Sequence, residues 1–291
     1  MKSWLLAFRP KTLTAALVPI LVGTSLAIAN HLYWSPWVVV FTLLSSFFIQ
    51  IATNLFNDAL DFKKGADRED RKGPVRVTQT GLLSERMVMY MAFGALALAF
   101  LTGIPLVYRG GWVIVAIGLV SLLLAYAYTG GPYPLAYKGL GDVFVILFFG
   151  VIAVSGVFYL HTLQFSWGAV IAGLQVGFWA TVLLAINNLR DVEEDKKSNK
   201  RTLAVRFGQK FTVAEIALLI LGSFVFSFYW LEHSLVWAGI LPLLLVPMSW
   251  QLFSQIQKSE PSLIYNSFLA KAATIHLLFG LQLAVGLILH L

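Results

Sequence analysis

The sequence predicts an all-α polytopic membrane protein, a bundle of nine transmembrane helices, and three observations carry that prediction. Mean hydropathy is +0.79, with 58% of the 291 residues hydrophobic and only 12% charged, far from the balance of a soluble globular domain. Apolar runs of about 20 residues, each long enough to cross a hydrocarbon core as a helix, follow one another along the whole chain. Lys and Arg, finally, gather almost entirely in alternate connections between those runs.

In chain order the runs are residues 12–29, 36–56, 86–107, 112–128, 141–161, 167–187, 212–231, 234–255 and 272–291. The first has Lys2, Arg9 and Lys11 before it and Ala27-Ile28-Ala29 near its end, a pattern shared with cleavable signal peptides. It is read as a retained span, because its basic flank continues the charge pattern of every other loop on that side. Of the 21 basic residues, three precede the first run, seven lie in the second loop, one in the fourth, seven in the sixth and two in the eighth. Arg109 alone falls on the opposite side. The positive-inside rule then puts the N-terminus and the even loops in the cytoplasm and the C-terminus outside, in a multi-pass protein of a bacterial cytoplasmic membrane. Short outer connections such as HLYWSPW and YRGGW supply interfacial aromatics but no visible chemistry. Residues 1–291 read as one transmembrane domain, since little length remains for another.

Several functions are excluded at this level. The net charge of +7 is interleaved with acids and forms neither stripe nor tail, so nucleic acid is not a partner. With no cysteine, thiolate catalysis, disulfides and Cys-ligated zinc are absent. The five histidines are scattered and receive no role.

Chemistry is concentrated in two cytoplasmic loops, residues 57–86 and 188–210, which hold ten of the 14 acids. In the first, Asn54, Asp58 and Asp61 stand at i, i+4 and i+7, on one face of a continuing helix; Asn57 and Asp61 add another spacing of four. In the second, Asn187, Asp191 and Asp195 stand at i, i+4 and i+8, with Asn188 beside them. A single charged loop ordinarily does no more than mark topology. Two with the same polar geometry, set at the ends of apolar helices where a lipid-facing amide or carboxylate is costly, point to a shared cavity. Facing carboxylates repel unless a cation lies between them, and hard Asp and Asn oxygens suit Mg²⁺, which binds through a few carboxylates plus substrate phosphates. The interleaved bases, Lys63, Lys64, Arg68, Arg71, Lys72 and Arg76 against Arg190, Lys196, Lys197, Lys200, Arg201 and Arg206, suit phosphate oxygens. Acids for metal, bases for phosphate and an apolar bundle beneath describe a site for a lipid diphosphate.

NDALDFKKGADREDRKGPVR, from Asn57 to Arg76, and NNLRDVEEDKKSNKRTLAVRFG, from Asn187 to Gly208, resemble the two aspartate motifs of the UbiA-type intramembrane aromatic prenyltransferases. RPKTL at Arg9 and YTGGPYPLAYKGLGD at Tyr128 make the chain most similar to the branch that prenylates 1,4-dihydroxy-2-naphthoate in menaquinone synthesis. The likeness covers nearly the whole chain. It implies that Asp58, Asp61 and Asp67 hold Mg²⁺ from the first motif, assisted by Asn54 and Asn57, and that Asp191 and Asp195 do so from the second, with Asn187 and Asn188 behind them. Arg71, Arg76, Lys200 and Arg201 would grip the diphosphate, with Arg9 and Lys138 as further contacts. Many members carry a third acid where this chain has Gly65, delaying it to Asp67, and Asn199 stands where a glycine is expected.

The reaction so implied takes a polyprenyl diphosphate as donor and 1,4-dihydroxy-2-naphthoate as acceptor, the chain replacing the ring carboxylate as CO₂ leaves. Aromatic faces stabilise a cationic carbon, and Tyr126, Tyr128 and Tyr133 lie near the right loop, although tyrosines at helix ends are more often interfacial anchors. Other acceptors, such as 4-hydroxybenzoate or homogentisate, and phytyl in place of polyprenyl, share the same diphosphate chemistry. The CDP-alcohol phosphotransferases gather their acids in one extended motif that is missing here, and a transporter would place its polar residues nearer the midplane.

Overall fold

The computed structural model describes residues 2–30, 34–66 and 72–289, and among them it is entirely helical. A short helix α1 (Lys2–Phe8) precedes α2 (Thr14–Ala29), α3 (Pro36–Lys63), α4 (Glu85–Ala127), α5 (Gly141–Thr162), α6 (Trp167–Arg190), the short α7 (Val192–Lys197), α8 (Leu203–Glu232), α9 (Val236–Gln257) and α10 (Tyr265–Ile288). Seven of these are long and apolar enough to cross a membrane, while α2 is apolar but only 16 residues long. The expected count of nine is therefore not what length and composition give.

One of the two spans by which the counts differ is α2 and the other lies in α4. Two runs were expected, 86–107 and 112–128, yet helical hydrogen bonding continues through 43 residues. A straight helix of that length measures about 64 Å, twice a hydrocarbon core. It is not straight: Phe56 touches Phe93 at 5.1 Å and Tyr126 at 5.3 Å between ring centroids, so both ends of α4 return to the same end of α3. The reversal is at Gly111, whose φ of 60° and ψ of −148° are open to glycine and costly for other residues. Exposed Tyr108 and Trp112 flank it.

Packing follows membrane rules, in which lipid tails compete equally for apolar faces and close backbone approach decides which helices meet. On α5 a Cβ at Gly150 would lie 2.3 Å from the Gly173 carbonyl and 2.6 Å from the Gly177 Cα of α6, so these backbones touch because all three residues are glycine. Buried polar side chains are paired: Gln175 donates to the Ser223 carbonyl at 2.8 Å and accepts from the Trp230 indole at 2.8 Å, joining α6 to α8. One large apolar core around Trp179, Trp230 and Phe279 unites α2, α5, α6, α8, α9 and α10. A second, around Leu55, Phe56 and Val88, seats α1 and the first limb of α4 on α3. Between the two, α2, α3, both limbs of α4 and α5 enclose an apolar cavity of about 720 Å³.

Candidate active site

Helix α3 runs to Lys63, two turns beyond the expected end at 56, because its polar last turns find partners outside the bundle. Asn54 is buried, and its amide donates to the Phe8 carbonyl at 3.1 Å and to Thr12 Oγ1 at 2.9 Å, so it secures the N-terminal segment. Asp58, 1% exposed, accepts from the Val77 N–H at 3.2 Å, from the Thr78 N–H at 3.1 Å and from the Thr78 hydroxyl. Arg9, in a left-handed conformation with φ of 50°, brings its guanidinium to 3.9 Å from the same carboxylate. Asp58 thus anchors the returning loop, an arrangement its sequence spacing did not distinguish from metal binding. One turn on, Asp61 meets Arg76 at 3.3 Å and accepts from the Tyr137 hydroxyl at 2.9 Å. Asn57 accepts from the Thr129 hydroxyl, and Lys64 donates to the Thr129 carbonyl, joining α3 to the segment after α4. Asp67 and Arg71 lie outside the described residues.

The second cluster continues α6 past residue 187 to Arg190. Arg190, grouped by sequence with the phosphate-binding bases, has no exposed surface and grips Asp191 through Nε at 2.6 Å and Nη2 at 2.7 Å. Nη2 also donates to Asn187 Oδ1 at 2.8 Å and Nη1 to Asn266 Oδ1 at 2.8 Å, while Asn187 donates weakly to Asp191 at 3.4 Å. Asn188 is buried beside them. From α7, Asp195 lies 3.6 Å from Lys200, and its Oδ2 is buried without a hydrogen-bond partner among the described residues. Asn199 takes φ of 57°, the left-handed turn that the expected glycine would make.

The two clusters meet across the segment that follows α4. Tyr137, not singled out from the sequence, lies between them: its hydroxyl holds Asp61, its ring packs against Lys64 at 4.2 Å and Lys200 at 5.9 Å, and its carbonyl accepts the Arg201 N–H at 3.1 Å. Its place inside YTGGPYPLAYKGLGD was the one available signal. Side chains of Arg201 and Lys138 point outward, Lys138 resting over the Tyr133 ring at 4.9 Å. Of the three tyrosines considered for cation stabilisation, Tyr128 alone lines the apolar cavity, and it lies within the fields of Lys200, Asp142, Asp61 and Asp195.

Electrostatics confirm the convergence. Burial, with Asp191 and Asp61 adding to it and Lys200 opposing, raises Asp195 to about 6. Burial would lower Lys200, yet Asp195, Asp61, Tyr128 and Asp191 together hold it above its ordinary value. Burial and then Lys200 keep Lys64 below its own, against Asp61. Acids from both motifs therefore share one field. Among the described residues no three acidic or histidine side chains converge closely enough to enclose a metal alone. An ion that keeps its waters and bonds to substrate phosphates does not require such an enclosure, and the unpartnered Asp195 Oδ2 is the kind of oxygen it would take.

A model of the UbiA prenyltransferase family matches residues 16–275. The chain belongs to the UbiA prenyltransferase family. It is 32% identical to a 1,4-dihydroxy-2-naphthoate octaprenyltransferase of Haemophilus influenzae over 99% of this chain and 96% of that protein. The enzyme of the same name from Escherichia coli is 36% identical over 77% and 74% respectively. The fold matches that of a UbiA homologue from Archaeoglobus fulgidus solved with GPP and Mg²⁺, with a TM-score of 0.71 at 19% identity, covering 98% of this chain and 99% of the other. UbiA-family membership and an integral, multi-pass helical architecture thus agree.

Proposed function

We propose that this chain transfers a polyprenyl group from an allylic polyprenyl diphosphate to 1,4-dihydroxy-2-naphthoate, with loss of CO₂ and diphosphate; the relatives' names, which give an octaprenyl group and the same naphthoate, support the reading. The observation that carries the reading is the meeting of both acid-and-base clusters around Tyr137, with Tyr128, which lines the apolar cavity, in their field. The diphosphate would lie at the rim and the prenyl tail in the 720 Å³ cavity. Asp61, Asp191 and Asp195 are the residues proposed to hold Mg²⁺; Asp67 and Arg71 keep the roles their motif implies. Bound there, Mg²⁺ would neutralise charge on the departing diphosphate.

The chain's own residues do the rest. Arg76 and Lys200, each already against a carboxylate, are placed to bind diphosphate oxygens, and Lys64 adds a third charge. As the allylic C–O bond breaks, its electron pair stays with the diphosphate. The electron-rich ring carbon that bears the carboxylate bonds to the allylic carbon, and the C–C pair released with CO₂ restores aromaticity. The Tyr128 ring, lining the cavity near that point, favours the cationic carbon. No base on the protein is needed at that carbon.

Topology belongs to the same proposal: both limbs of α4 and also α2 cross the membrane, making nine spans in one domain of residues 1–291. The N-terminus and the site then face the cytoplasm and the C-terminus the far side of a bacterial inner membrane. An acceptor panel with purified protein, Mg²⁺ and an allylic polyprenyl diphosphate tests the function. A demethylmenaquinol-type product from the naphthoate supports it; turnover on 4-hydroxybenzoate or homogentisate alone would sink it.

A further inference from the structure

Outside both motifs, the first turn of α10 carries Asn266, and its amide faces both halves of the site. Nδ2 donates to the Lys72 carbonyl at 3.1 Å, and Oδ1 accepts from Arg190 Nη1 at 2.8 Å. The Lys72 N–H in turn donates to Glu194 Oε1 at 2.9 Å, so both backbone groups of Lys72 are held by side chains from the second half of the chain. Lys72 belongs to the stretch that returns to α3, where Val77 and Thr78 are fixed on Asp58 and Arg76 meets Asp61. On the other side, Arg190 is fully buried and bidentate on Asp191. A continuous run of bonds therefore leads from Asp191 through Arg190 and Asn266 to Lys72.

We infer that Asn266 is a positioning residue: it orients Asp191 by accepting from Nη1 of buried Arg190, and it holds the Lys72 segment against the second acid cluster. The physical reason is that a buried guanidinium keeps its geometry only while its N–H groups are paired. Asn266 supplies an acceptor that neither motif contains. Groups that orient metal ligands from behind typically carry a 10- to 100-fold share of metal affinity. Glu194 is its counterpart, since it receives the other backbone group of Lys72.

The inference rests on the proposed metal role of Asp191, and the test separates the two. Mn²⁺ serves as probe, its binding to the full-length protein in detergent read by electron paramagnetic resonance, which needs no turnover. Asn266→Ala should weaken Mn²⁺ binding about 10-fold or more. Asn266→Asp keeps an acceptor opposite Arg190 and loses the donor to Lys72; it should restore Mn²⁺ binding while the KM for polyprenyl diphosphate stays raised severalfold. Wild-type Mn²⁺ affinity in the Ala variant, or an Asp variant as weak as Ala, would overturn the positioning role. If Ala does not fold, the Asp variant decides alone by the same split between metal binding and KM.

Because the chain has no cysteine, Lys72→Cys with Asn266→Cys offers a check independent of any metal. A short bismaleimide should join the pair within one chain, and failure to join would overturn the clasp while leaving the metal reading intact. If the double-cysteine protein joins in this way while the wild-type protein takes up no Mn²⁺, the metal reading is overturned and the positioning of Asp191 with it.

Discussion

Asp58 and Asp61 stand three residues apart in one motif and have different partners, and a pair of substitutions to Asn tests whether they do different work. Asp58 has three donors from Val77 and Thr78 on its two oxygens. In Asp58→Asn, Oδ1 still accepts from Thr78, but an NH₂ group faces the Val77 N–H, leaving a buried donor unpaired and removing charge assistance from the others. A hydrogen bond to a charged group contributes about 1.5–3 kcal/mol, and an orphaned buried donor costs about 1–3 kcal/mol. The Arg9 contact, at 3.9 Å and partly exposed, adds little. The sum is a loss on the order of 3 kcal/mol, with Mn²⁺ affinity close to wild type in whatever protein remains folded. Asp61→Asn should also lose stability, because buried Arg76 would then face a neutral amide, but it should differ in metal affinity, which should fall at least 10-fold. Thermal unfolding in detergent and Mn²⁺ titration on the same preparations give both numbers. Loss of Mn²⁺ binding in Asp58→Asn at unchanged stability would refute the assignment, because it would make the Val77 and Thr78 bonds incidental.

Three further outcomes follow from the geometry. Burial raises Asp195 to about 6, so below that pH the carboxyl is protonated and must lose its proton to take a cation; Mn²⁺ affinity should climb between about pH 5 and 7, then level off, and Asp195→Asn should flatten the profile. Tyr137→Phe keeps the ring against Lys64 and Lys200 but removes the 2.9 Å bond to Asp61, so the KM for the diphosphate should rise by roughly 5- to 20-fold, as expected for a lost charge-assisted bond of about 1–2 kcal/mol; Tyr137→Leu should cost more, and equal losses would deny the ring a role. Gly150→Val puts side-chain atoms where the Gly173 carbonyl and Gly177 Cα lie, and the protein should fail to yield a monodisperse species in detergent; normal yield would show that α5 and α6 need not touch.

Composition and charge made the architecture legible because lipid imposes such strong rules on apolar length and loop charge. The ends of the helices were less so. Residues 57–63 and 188–190 look like loop when judged by hydropathy, yet Asn57, Asp58, Asp61 and Arg190 bond to other segments and the helices continue through them. Where α4 turns was readable as a break near YRGGW, while its hydrogen bonding across that break was not. In the candidate site, residue type and spacing selected Asp61, Asp191, Asp195 and Lys200, which the fold brings into one field, and Arg76, which it sets against Asp61. Spacing alone could not say that Asp58 and Asn54 face the loop and the N-terminal segment, nor that Arg190 is buried behind Asp191. Those distinctions depend on which partner crosses over the helix. Tyr137, Glu194 and Asn266 were missed for the same reason, since each acts through a contact far away in sequence.

The proposed reaction exchanges the ring carboxylate for a prenyl chain at one site built from both motifs. Supplying 1,4-dihydroxy-2-naphthoate labelled in its carboxyl carbon, with an allylic polyprenyl diphosphate and Mg²⁺, measures that exchange directly. Labelled CO₂ and diphosphate should appear in equal amounts, and both should cease in Asp61→Asn and in Asp191→Asn. Diphosphate release with the label retained in a prenylated product, or undiminished release in either variant, would contradict it.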